Sequence, residues 1–86
     1  MSRGSDLKKK ARELRPLVRI GKAGLTEGVI LEIKRHLDTK ELVKIKVLRS
    51  SKEDYMYIVE TLLKETNSKL ISSVGHTFVL YKPKKR

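Results

Sequence analysis

The stretch Arg19-Ile20-Gly21-Lys22-Ala23-Gly24-Leu25-Thr26 gathers more usable chemistry than any other part of the chain. Two glycines three apart let the backbone come close to another molecule with no Cβ in the way, and Lys22 places a positive charge between them. Thr26 is of the N-cap type, so the segment ends where a helix N-terminus offers unpaired amides and a half-positive dipole. Amides, dipole and lysine aimed at one place make a clamp for a phosphate, one that grips a nucleic-acid backbone and reads no bases. A G-x-x-G loop alone is a common connector; the charge around this one gives it weight.

The 86 residues hold 21 lysines and arginines against 10 acids, a formal net charge of +11. That charge is unevenly spread: residues 1–26 carry +6, residues 27–66 are neutral, and residues 67–86 carry +5. Solubility alone would scatter the excess, whereas a fold that joins the two ends makes one basic patch suited to a polyanion. Lys9, Lys10, Arg12 and Arg15 are the candidate contributors before the loop, and Arg19 opens it. His76, between two apolar runs near the end, is placed to meet a phosphate or stack on a base.

Other chemistries find little support. The serines lie at caps, termini or strand positions with no His or Asp motif around them, and the acids are scattered along helical stretches, so no enzyme and no small-molecule substrate is expected. Two lone histidines without cysteine offer no metal site, His36 reads as a surface residue near a helix end, and no cofactor is expected. Apolar runs such as Phe78 to Tyr81 fall far short of the ~20 residues that cross a bilayer. Met1 to Lys10 has no apolar core of the signal-peptide kind, so a cytoplasmic protein without membrane contact is expected. Aromatic residues are 5% of the chain and tryptophan is absent, which removes broad base-stacking platforms and favours a partner read by shape and charge.

One domain over residues 1–86, with 83–86 as a basic tail, must position these groups. With no cysteine and 38% hydrophobic residues it is stabilised by packing alone. Ser5 is placed to cap a first helix carrying Leu7, Ala11 and Leu14 on one face, and Pro16 stops it. Leu17 to Ile20 is a short strand, and Thr26 caps a second helix with Val29, Ile30, Ile33 and Leu37 as its stripe. Leu42 to Leu48 alternates, with Val43, Ile45 and Val47 on one face and Lys44 and Lys46 on an open basic one. Ser50 with Glu53, or Ser51 with Asp54, makes a capping box for a third helix whose stripe is Tyr55, Ile58, Val59, Leu62 and Leu63; Glu60 and Lys64 form an i,i+4 pair on it. Leu70–Val74 and Thr77–Tyr81 form a hairpin closed by Gly75 and His76 in a type II′ turn. The order α-β-α-β-α-β-β predicts a two-layer α+β (α/β) domain with helices on a mixed four-stranded sheet, parallel within its crossover and antiparallel in the closing hairpin.

The run from Leu17 to Leu48, with G-K-A-G-L-T-E-G-V at its head and E-L-V-K-I-K-V at Glu41 to Val47, resembles the CRM domain, and Val74 to Pro83 resembles that domain's closing hairpin. The family comprises RNA-binding modules of chloroplast splicing and ribosome maturation factors, with stand-alone YhbY-like members. The resemblance spans nearly the whole chain and implies a fold similar to the C-terminal domain of translation initiation factor three, in agreement with the element order. It implies RNA binding through Arg19, Gly21, Lys22, Ala23, Gly24, Leu25 and Thr26, with ribosomal RNA or the pre-ribosomal large subunit as partner. Ending at Arg86, the chain looks more like an archaeal member. Two rivals share single features. A KH domain also uses G-x-x-G, but between two helices, which Pro16 and the extended Leu17 to Ile20 oppose. An Alba-type chromatin protein that binds double-stranded DNA is equally small and basic but accounts less well for the G-K-A-G-L-T block.

Overall fold

The structure, a computed structural model, describes residues 3–83. Its elements follow the expected order: α1 (Arg3–Glu13), β1 (Val18–Ile20), α2 (Glu27–Lys40), β2 (Leu42–Val47), α3 (Tyr55–Thr66), β3 (Lys69–Val74) and β4 (Thr77–Tyr81). The four strands form one sheet in the order β1-β2-β4-β3. β1 lies parallel to β2, with Val18 opposite Ile45, because the intervening α2 carries the chain back across the sheet. β4 runs antiparallel to both β2 and β3. The hairpin turns as expected: φ is +60° at Gly75 and is not positive at His76, which fits type II′.

Period-two alternation splits the sheet into unlike faces. On one, Val18, Ile20, Val43, Ile45, Val47, Phe78 and Leu80 meet Ile33 and Leu37 of α2 and Ile58, Val59 and Leu62 of α3, all at 5% exposure or less. Leu25, Val29, Ile30, Tyr55 and Leu63 close the rim of this core. On the other face α1 lays Ala11 against Leu42 and Val79, with Leu7, Leu14, Ile71 and Tyr81 partly buried around them. The layering is therefore fuller than the two layers expected, since α1 adds a third over part of the sheet. Its stripe of Leu7, Ala11 and Leu14 is as read from the sequence; the face it would cover could not be read.

Local details differ for identifiable reasons. α1 begins at Arg3, so Ser5 lies inside the helix and is not its cap; once the anchored turn exists, extension by two residues adds one hydrogen bond per residue. It ends at Glu13, where Lys44 Nζ donates to the carbonyls of Leu14 (3.1 Å) and Ala11 (3.5 Å) and takes over the satisfaction of that terminus. Leu17 lies just before β1, although its amide still donates to the Lys44 carbonyl (2.9 Å). The Thr26 cap of α2 forms as expected, Thr26 Oγ1 accepting from the Val29 amide at 3.2 Å. The capping box of α3 does not form: its N-cap is Asp54 without a side-chain bond, Ser51 Oγ donates instead to the Glu53 carbonyl, and the Glu53 carboxylate is engaged elsewhere. Glu60 and Lys64 form no ion pair; among the described residues the contact found between a basic and an acidic side chain is His36 Nε2 to Glu32 Oε2 at 3.6 Å.

Candidate nucleic-acid interface

β1 and β2 point their carboxyl ends the same way, and the turn between β3 and β4 reaches the same edge. Three connections therefore meet there: the glycine loop after β1, residues 48–54 after β2, and the Gly75-His76 tip. Backbone bonds tie them together, Leu48 to the Ile20 carbonyl (2.9 Å), Lys52 to the Gly21 carbonyl (3.4 Å) and Val47 to the His76 carbonyl (2.7 Å). His76 stays exposed while its ring rests 5.7 Å from that of Tyr55. Tyr55 in turn meets Phe78 edge to face and its hydroxyl lies 2.6 Å from Ser73 Oγ, which fixes the hairpin tip to the start of α3.

Inside the loop the Gly24 amide donates to the Gly21 carbonyl at 2.9 Å, closing a turn that lifts Lys22 and Ala23 into solvent. Gly24 is buried, with φ +70°, and a Cβ there would run into the Glu53 carboxylate. That carboxylate accepts from the Leu25 amide at 3.0 Å. The second glycine is thus required by the chain's own architecture: it lets Glu53 reach an amide beside the start of α2. The expectation of free amides is narrowed accordingly: two amides are committed within the chain, while those of Lys22, Ala23, Glu27 and Gly28 make no hydrogen bond among the described residues. Leu25 N–H is held by Glu53, Val29 N–H by Thr26, and the Leu25 side chain packs at the core rim. What the loop presents outward is Lys22, Ala23 and the turn between them.

Basic residues extend this edge over the α1 side of the sheet. Register places Arg19 of β1, Lys46 of β2, Thr77 of β4 and Val74 of β3 in one row across the strands. Arg19 and Lys46 are exposed, and among the described residues neither they nor Arg12 and Lys22 has an acidic partner. Arg12 faces Lys46 across a groove beside α1. The other cations singled out before the loop go elsewhere: Lys10 of α1 and Arg15, just beyond it, border a separate concavity with Lys40 and Leu42, at the opposite end of β2, and Lys9 lies exposed on α1. Of the residues singled out in the sequence, Arg19, Gly21, Lys22, Ala23, Gly24, Leu25, Thr26 and His76 converge on one edge and Arg12 adjoins it. Lys46 was missing from that set although the alternation of β2 already placed it on the open face. Glu53 was missing because its spacing from Ser50 fitted a cap equally well.

A three-helix, four-stranded domain with an unneutralised basic edge defines a class of small basic α+β proteins. The chain belongs within it to the CRS1/YhbY (CRM) domain family, whose model matches residues 2–82. It is 38% identical over 79 residues to the probable RNA-binding protein YqeI of Bacillus subtilis, covering 92% of this chain and 82% of that one. An RNA-binding protein of Haemophilus influenzae is 40% identical over 77 residues, covering 90% of this chain and 78% of its own. The solution structure of the hypothetical protein SAV1595 from Staphylococcus aureus superposes with a TM-score of 0.78 at 32% identity, over 96% of this chain and 86% of that one.

Proposed function

We propose that the protein binds RNA, gripping its phosphate backbone at the Lys22-Ala23 tip with Arg19, Arg12 and His76 beside it, and that it acts in the cytoplasm on ribosomal RNA during large-subunit assembly. The observation that carries the reading is the contrast within the loop: its inner side is held by the Glu53 contact with the Leu25 amide beside Gly24, while its outward turn holds a lysine with no acidic partner among the described residues. A rigid turn bearing an unneutralised charge suits a phosphate on a structured RNA. Membership of a family whose relatives are named as RNA-binding supports RNA over the DNA of the chromatin alternative.

The test replaces Lys22 and Ala23 with aspartate and compares this variant with a deletion of Lys84, Lys85 and Arg86, which lie outside the described residues. Both changes lower the formal charge by three, so they differ only in place. RNA affinity is expected to fall at least about tenfold further in the loop variant, with thermal unfolding unchanged. Equal losses would reduce the protein to a diffuse polycation. With roughly five phosphates engaged, log affinity for RNA should fall against log salt with a slope near −3 to −5. Cross-linking in the native cells names the target: ribosomal RNA is expected, and recovery of chromosomal DNA would favour the Alba-like reading.

A further inference from the structure

The half of the sheet that α1 leaves open forms a groove of about 440 Å³, walled by Arg12 and Pro16 on one side and by Lys46, Ser72 and Thr77 on the other, with Val79 at its floor. Its size falls in the range of clefts that hold one small ligand, about 300–1,000 Å³, and α1 standing over it keeps out anything as broad as a duplex. No acid lines it. Lys44, which also borders it, is already engaged by the carbonyls of Ala11 and Leu14, so the strand's next cation on this face, Lys46, is the one left for a ligand. Lys46 sits in register with Arg19 on the neighbouring strand, about 5 Å away by the spacing of strands. Like charges directly opposite each other weaken a sheet. An anion bridging the pair reverses that penalty. The hydroxyls of Ser72 and Thr77 offer donors and acceptors, and the exposed Val74 an apolar seat, which together match an unstacked nucleotide with its base edge and 2′-hydroxyl exposed.

We propose that this groove seats a single-stranded RNA segment continuing from the structured RNA held at the glycine loop, its phosphates near Lys46, Arg19 and Arg12 and its base or ribose over Val74. The inference rests on the RNA-binding reading above. Two RNA probes separate them: a blunt hairpin, and the same hairpin with a short single-stranded extension. The intact protein is expected to bind the extended hairpin several-fold more tightly, with a salt slope steeper by about one. Thr77→Val, which changes no charge, should abolish that advantage and leave blunt-hairpin binding near wild type, and Lys46→Gln should abolish the advantage as well. Lys64→Gln, an exposed lysine on α3, changes charge equally and should keep the advantage. Equal binding of both probes by the intact protein, or an advantage that survives Lys46→Gln and Thr77→Val, would overturn the groove and leave the loop reading standing. Binding of neither probe would overturn both.

Discussion

The two faces of the sheet divide the work of the molecule. The face under α2 and α3 is dry: twelve buried residues from three strands and two helices form one cluster. Under α1, among the described residues, only Ala11, Leu42 and Val79 are buried, and lysines alternate with the apolar residues of the same strand. Since apolar burial stabilises by roughly 25 cal/mol per Å², the first face holds most of the fold's free energy. The second is left with surplus charge and an open groove. A small domain with one core can thus keep a face unoptimised for stability and available for contact, and Arg12, Arg19 and Lys46 lie on that face with Lys22 at the adjoining edge.

The largest test of this division is a pair of truncations, one on each side. Phe78→Ala removes a fully buried ring in contact with Tyr55 and is expected to cost about 3–5 kcal/mol, a large share of the ~5–15 kcal/mol that holds such a domain folded. Leu14→Ala, half-buried under α1, should cost less than the ~1.5–3 kcal/mol that full burial of such a side chain contributes. Urea unfolding with unchanged m-values measures both. Comparable losses would break the comparison, because α1 would then be as integral to stability as the core.

The dry face was also the legible one. Periodicity located Ile33, Leu37, Ile58, Val59 and Leu62 on their helices and Val43, Ile45 and Val47 on their strand, because burial on one side imposes a pattern on every element that shares it. The convergence of Arg19 to Thr26 with His76 followed from topology, since parallel strands and a terminal hairpin leave few other arrangements. What could not be read were contacts between segments with no shared period. Glu53 bonds Leu25 across 28 positions, and Lys44 reaches the end of α1 across 30 or more; each residue has an equally good local role, as a capping-box acid or as a solvated strand lysine. The division of the cations on and just after α1 was hidden for a similar reason. Which way Arg12, Lys10 and Arg15 face depends on where α1 docks, and its stripe of Leu7, Ala11 and Leu14 does not identify the docking face.

A second comparison sharpens the account of the glycine loop. Gly24 and Gly75 both have positive φ, +70° and +60°, but only Gly24 has a neighbour in the way; around Gly75 nothing lies within 4 Å of an added Cβ. Gly75→Ala should therefore cost only the left-handed backbone penalty of about 1–2 kcal/mol. Gly24→Ala adds displacement of Glu53 from the Leu25 amide, whose unpaired N–H costs roughly another 1–3 kcal/mol. The difference between the two midpoints in urea measures the Glu53 contact. Equal losses would mean that Glu53 swings aside freely and does not shape the loop.

The smallest effect is the most informative about how the loop works. Glu53 plays two opposed parts: its oxygen orders the backbone that carries Lys22, and its negative charge stands close to where a phosphate would bind. Glu53→Gln retains an oxygen to accept from Leu25 and removes the charge, losing about 0.3–1 kcal/mol of stability as the favourable carboxylate beside the start of α2 disappears. RNA affinity should rise about twofold to fivefold, the size of one partly screened surface interaction of roughly 0.5–1 kcal/mol. Glu53→Ala removes the same charge but leaves the Leu25 amide without its acceptor, so the turn at Lys22 and Ala23 loosens and affinity should fall below wild type despite the more positive surface. Titration of both variants with one RNA at one salt concentration decides the matter. If the two substitutions raise affinity alike, charge alone governs binding and the ordered geometry of the loop contributes nothing; opposite signs locate the function in the shape that Glu53 imposes on the chain around Gly24.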